Sequence, residues 1–325
     1  MNITSQLDSF ERNHKPPIIV NLKRGSSIES VHRVHAVVSD KKGRILMKAG
    51  NSDYETFIRS ALKPFQAVPF LSSGTAEKIS TLDKGIAIAC ASHSGLKEHS
   101  REAFKILWNS NIDVNSLKCP LPTGKSSRLE HNCSGKHAAF LATCKKMNWP
   151  LQTYLENNHP LQLEICRLTA ELLNIPQEEI VSEKDDCGAP TFRLQLCQIA
   201  LLYANLSSSE NAELEQISRA MIAHPQIISG PGNFDTEIMK RAHGQLLSKS
   251  GAEGIQCLSR NGEGIGIAIK VEDGSKRAKQ AVALHILKQL EWLTPIAIDE
   301  MEAMILKLGI NAELEVRGQL QFKEI

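Results

Sequence analysis

The chain has 325 residues, 42% of them hydrophobic, and a formal net charge of +2. That length supports a large core in one domain or two, and the near-neutral charge gives no electrostatic case for nucleic acid or an anionic membrane as partner. No apolar run reaches the ~18–20 residues of a membrane-crossing helix, and the polar stretch Met1 to Lys15 lacks the apolar centre of a secretory signal. Residues 1–16 read as a frayed extension ahead of one domain over 17–325. Eight cysteines are scattered without a Cys-x-x-Cys pair. Free thiols in a reducing cytoplasm are the expectation.

In chain order, residues 31–49 read as a hairpin. Val31, Val37 and Val38 precede the turn Asp40-Lys41-Lys42-Gly43, and Ile45, Leu46 and Met47 follow it. Residues 64–72 read as a short helix broken by Pro69. The run Ile86-Ala87-Ile88-Ala89-Cys90 has the length and apolarity of a buried strand. It leads into Ala91-Ser92-His93-Ser94-Gly95 and then a helix to about Trp108, with Phe104, Leu107 and Trp108 expected inward. Ser94 could serve as its cap, or Ser92 and Ser94 could belong to a site. Residues 117–130 read as a loop. The helix after His137 is expected to bury Phe140, Leu141, Cys144 and Met147. Helices are expected over 159–175, 191–206, 209–223 and 234–247, with a short strand at Ile180-Val181. Ser229-Gly230-Pro231-Gly232-Asn233 reads as a flexible loop suited to act as a lid. Ile255–Ser259 and Ile265–Val271 read as a hairpin across Asn261-Gly262-Glu263-Gly264. A helix carrying Ala281, Leu284, Leu287 and Leu290 follows, and Glu313 to Phe322 alternates as an edge strand. The order predicts an α+β fold, an antiparallel sheet covered by helices, with a helical subdomain around 97–250. No Walker loop and no Gly-x-Gly-x-x-Gly is present, so no nucleotide or other organic cofactor is indicated.

Several stretches carry chemistry. In Arg59-Ser60-Ala61-Leu62-Lys63-Pro64-Phe65-Gln66, a lysine one turn after a serine can take its proton if the amine is kept neutral. Pro64 disfavours the α conformation at Lys63, so a 3₁₀ turn over 60–63 would bring the two together. His131-Asn132-Cys133-Ser134-Gly135-Lys136-His137 puts Cys133 at a helix N-terminus, which favours a thiolate. Asp185-Asp186-Cys187-Gly188 ends a short strand and reads equally as a site or a turn. The order of Ser60-x-x-Lys63, a serine at 92 or 94, and the late Lys270 echoes the penicillin-binding and class A β-lactamase layout, without its Ser-Asp-Asn or Lys-Thr-Gly.

Taken together these blocks resemble the rhizobial-type, thermolabile L-asparaginase family (asparaginase II), in family order over residues ~20 to ~280. The resemblance implies a serine-β-lactamase-like fold and hydrolysis of L-asparagine to L-aspartate and ammonia. It implies Ser60 as nucleophile, Lys63 as its base, and Ser92 with Lys270 as a second pair in the same pocket. It implies zinc on Cys133, Lys136 and Cys187, and contacts to substrate from Arg59, His137 and Asp185. It also implies a homodimer. Asp186 stands where glycine is expected, and Asn233 where arginine is more usual. The alternatives are a glutaminase or a β-lactam- or peptide-directed hydrolase of the same fold, or a non-catalytic amino-acid- or zinc-binding protein.

Overall fold

A computed structural model describes residues 15–78 and 82–322. The expected extension over residues 1–16 lies outside these, apart from Lys15 and Pro16. The chain opens with β1 (Ile18–Arg24), β2 (Ser27–Asp40) and β3 (Ile45–Ala49), then the short β4 (Glu55–Phe57). A 3₁₀ turn over Arg59–Leu62 runs into α1 (Lys63–Gln66) and α2 (Val68–Ser72). Next come α3 (Leu82–Cys90), α4 (Lys97–Asn109), α5 (Ser134–Lys146) and α6 (Pro160–Leu173). The strands β5 (Val181–Lys184) and β6 (Pro190–Gln195) precede α7 (Leu196–Leu206), α8 (Ala212–Ala223), α9 (Pro225–Ile228) and α10 (Phe234–Arg241). The chain closes with β7 (Leu246–Ser250), β8 (Ile255–Arg260), β9 (Ile265–Val271), α11 (Lys276–Gln289), α12 (Pro295–Ile305), β10 (Ala312–Arg317) and β11 (Gln321–Phe322).

Among the described residues the main sheet runs β10-β1-β2-β9-β8-β7, with β3 also on β2 and β11 on β3. Every pairing is antiparallel. The α+β expectation therefore holds. Both hairpins form across the turns read from sequence, because glycines at 43 and 262 take the positive φ those turns need. The tail lies at the sheet edge as expected, β10 pairing with β1.

Three elements differ from the sequence expectation. The run Ile86 to Cys90 lies in the helix α3, and all five residues are buried. A helix enclosed on every side shows no polar face, so it mimics a buried strand in sequence. Residues 190–195 form a strand rather than the first turn of a helix. Residues 246–250 form the strand β7, whose members Leu246 to Lys249 are all buried. Phe104, Trp108 and Met147 point outward (38%, 70% and 44% exposed) while Leu107 is buried. The helix α4 is capped not by Ser94 but at Leu96, whose N–H donates to His99 Nδ1 (3.2 Å).

Candidate active site

The 3₁₀ turn expected before Pro64 is present, and Lys63 N–H closes it on the Ser60 carbonyl. Arg59, the first residue of that turn, has φ of 53°, a left-handed conformation that non-glycine residues seldom adopt. Ser60 is partly exposed, whereas Lys63 is fully buried. The Lys63 ammonium donates to the Ala91 carbonyl (2.6 Å), to Ser92 Oγ (2.9 Å) and to the Asn132 carbonyl (3.5 Å). Its side chain thus reaches the segment after α3, and among the described residues no hydrogen bond joins it to Ser60.

Ser92 is held by its own N–H, which donates to the Ile228 carbonyl (2.8 Å). Its Oγ meets a second amine, Lys249 Nζ, at 2.8 Å. Lys249 is 0% exposed, on β7, and also donates to the Ser250 carbonyl (2.8 Å). Burial, helped by the positive charge of Lys63 and opposed by Asp235, brings its pKa down to about 7. Asp235 is buried too. Burial works against its charged form, but Lys249, Gln256, Ser248 and the Ser250 N–H together hold it below the usual carboxylate range.

The amine on Ser92 is therefore Lys249, not Lys270. Lys270 lies across from His35 and Ile255, two strands from β7, and donates to the Glu253 carbonyl. The sequence held a signal for Lys249. Lys249-Ser250-Gly251 differs from Lys-Thr-Gly by one methyl group. The signal is masked because serines flank the lysine and the strand follows a helix after only a short turn.

Ser92 lines a cavity of about 230 Å³ with Asn132, Asn233, Asp235, Lys276 and Lys279 among its walls; Ser60 is not one of them. The 229–233 loop forms one wall and is braced. Gly230 has φ of 101°, and a Cβ there would fall 2.3 Å from Ser94 Oγ. Asn233 Nδ2 donates to the Ser229 carbonyl (2.9 Å). His93 ties the other wall to α5. It accepts the Gly95 N–H at Nδ1 (3.1 Å) and donates from Nε2 to Ser134 Oγ (3.0 Å).

Beside this unit stands the thiol cluster. Cys133 caps the N-terminus of α5, as expected. The approach of α5 to α3 needs Gly135, because a Cβ there would lie 2.1 Å from the Ile88 carbonyl oxygen. Lys136, 2% exposed, donates to Cys187 Sγ at 3.2 Å. Cys133 and Cys187 act on one another: the interaction holds the Cys187 thiol well below its ordinary pKa and, with burial, pushes that of Cys133 up. Burial alone would lower Lys136, yet the Cys187 and Cys133 sulfurs outweigh it and raise it. His137 is buried, bonds Tyr154 OH through Nδ1 (2.7 Å), and turns Nε2 toward Cys187 outside hydrogen-bond geometry. Burial lowers its pKa. Arg59 is closed on Asp185 (Nε to Oδ1, 2.8 Å) and on the exposed Asp186, so the residue in place of glycine adds a second carboxylate to that arginine.

Among the described residues no three His, Cys, Asp or Glu side chains gather as a metal site. The set that does converge is two sulfurs and one amine. It fits zinc in donor chemistry, two thiolates with a nitrogen, provided that Lys136 gives up its proton on binding.

The fold and site can be set beside known proteins. No curated protein sequence matches the chain. A β-lactamase from Mycobacterium bovis superposes with a TM-score of 0.47 and 11% identity, over 80% of this chain and 95% of its own. Mglu, solved in its glutamate form, superposes with a TM-score of 0.42 and 12% identity, over 80% of this chain and 62% of its own. The family model of L-asparaginase II matches residues 20–322, nearly the whole sequence. On that match the chain belongs to the L-asparaginase II family.

Proposed function

We propose that this asparaginase-type amidohydrolase hydrolyses the side-chain amide of L-asparagine through serine–lysine chemistry. The observation that carries the reading is Ser92 Oγ between two buried amines, 2.9 Å from Lys63 and 2.8 Å from Lys249. With Lys249 poised near pH 7, a proton can pass along Lys63–Ser92–Lys249 and rest on either amine. In the assignment the resemblance gives, Ser60 attacks the amide carbon and its proton enters this relay at Lys63. The C–N bond then breaks, the nitrogen takes a proton from the relay and leaves as ammonia, and water releases the acyl group as L-aspartate.

A specific observation favours a second assignment. Ser92, not Ser60, is hydrogen-bonded to the lysines and lines the cavity. Its hydroxyl can donate to the neutral Lys249 amine while it accepts from Lys63, which activates the oxygen as the nucleophile. Mass spectrometry of the acyl-enzyme decides between them. Retention of the acyl group by Ser92→Ala but not Ser60→Ala supports attack by Ser60, and the opposite pattern supports Ser92. Ammonia release by both variants at the wild-type rate would sink the serine–lysine reading.

Glutamine differs from asparagine by one methylene, a distinction of ~1–3 kcal/mol. The small cavity favours the shorter substrate, and relative kcat/KM for the two amides tests that. Cys133, Lys136 and Cys187 are the residues we assign to zinc. Bound there it would supply a fixed positive charge beside the substrate. Metal analysis of the wild type and of Cys187→Ser tests the assignment, a stoichiometric zinc lost in the variant being the expected result. A homodimer is the expected assembly, and sedimentation velocity checks it.

A further inference from the structure

Three lysines are buried around the Ser92 cavity and its serine: Lys63, Lys249 and Lys279. Two of them meet the serine. Lys279 does not. It is 5% exposed, lines the cavity, and donates to the carbonyls of Gly251 (2.6 Å) and Ile255 (3.1 Å). Both acceptors are uncharged, and among the described residues Lys279 forms no ion pair. The nearby carboxylate, Asp235, is already filled. Its Oδ1 accepts from Ser248 Oγ (2.7 Å) and Gln256 Nε2 (2.9 Å), and its Oδ2 from the Ser250 N–H (2.8 Å). A buried ammonium that feels Asp235 only at a distance, with no direct ion pair, is costly, and an anion in the cavity relieves that cost.

Lys276 strengthens the case. It stands one turn before Lys279 on α11, is exposed, and lines the same cavity. The helix start adds a partial positive charge there, with Ser275 Oγ already taking the Ala278 N–H (3.4 Å). Arg59, the arginine expected to contact substrate, is committed to Asp185 and Asp186.

We infer that Lys279, supported by Lys276, is the anion-binding end of the Ser92 cavity and takes the α-carboxylate of the amino-acid substrate. The inference rests on the proposed amide hydrolysis and deepens it: it names what makes the enzyme prefer a free amino acid to an uncharged amide.

The test compares ammonia release from L-asparagine and from its α-methyl ester, which lacks the carboxylate charge. Lys279→Met is expected to raise KM for L-asparagine about tenfold, the loss of one charge-assisted hydrogen bond, while kcat changes less than about threefold. On the ester the variant and the wild type should be equal. Lys279→Arg should restore most of the affinity, and Lys276→Gln should raise KM about threefold. An unchanged KM in Lys279→Met, or an equal loss on acid and ester, would overturn the assignment, since a purely structural clamp on Gly251 and Ile255 predicts the latter. If Lys279→Met does not fold, Lys276→Gln and Lys279→Arg carry the same comparison. Thermal stabilisation by succinate separates this site from the catalytic reading. A Tm rise in the wild type that Lys279→Met or, failing that, Lys276→Gln diminishes supports the anion site even if L-asparagine is not turned over. No rise in the wild type overturns it.

Discussion

Two buried lysines a short way apart, Lys249 and Lys136, are pushed in opposite directions. Both are fully enclosed, and burial alone would neutralise either one. Lys249 faces a serine hydroxyl, a carbonyl and the positive charge of Lys63, so its pKa falls to about 7. Lys136 faces the sulfur of Cys187, so its charge is held. The difference teaches that depth does not set a lysine's role here. The sign of the nearest charge does. One lysine becomes a group that can carry a proton near neutral pH, and the other becomes half of a thiolate–ammonium pair.

Exchanging each lysine for methionine separates the two roles. Lys249→Met is expected to lower kcat about 10³-fold, the scale of a lost acid–base group, and to leave stability equal or slightly higher, because relief of an amine whose charge burial disfavours offsets the loss of that charge beside Asp235. Lys136→Met should do the reverse on stability, with a loss of about 3 kcal/mol in urea unfolding, since it strands the partner of a buried pair. Equal stability of the two variants would break the comparison. Gly135→Ala is the next in size, about 2 kcal/mol of destabilisation, because its methyl group must displace the Ile88 carbonyl that lets α5 approach α3.

A further effect is on pH-dependent stability. The folded pKa of Lys249, about 7, lies below that of an unfolded lysine, so between those values the unfolded chain binds more protons. The contribution of Lys249 therefore makes unfolding free energy rise as pH climbs from about 7 toward 10, and this slope should flatten in Lys249→Met. A slope unchanged by the substitution would show that the amine is not held neutral.

The sequence made part of this legible. The 3₁₀ turn at Ser60–Lys63 follows from Pro64, and the placing of Cys133 at a helix start follows from the polar run before an amphipathic helix. Hairpins were readable because turn glycines announce them. Lys249 is marked only by the near-match Lys249-Ser250-Gly251, because β7 is a buried strand carrying two serines and a lysine, and burial of polar residues has no further local signature. The helix α3 mimics a strand in sequence for a related reason: with its apolar run covered on every side, it has no periodicity to show. Lys270 is the late lysine on a strand, yet register places it two strands from β7, which carries the Lys249 that meets Ser92. The convergence of Cys187 on Cys133 and Lys136, from a separate strand end, is tertiary and was reached only through the family resemblance.

The most direct test is the initial rate of ammonia release from L-asparagine, measured for wild type and Lys249→Met from about pH 5.5 to about 9. The expected result is a wild-type rate that climbs through about pH 7 and a variant about 10³-fold slower throughout, with both proteins folded. A variant within tenfold of wild type, or a folded wild type that releases no ammonia at any pH, would contradict the account.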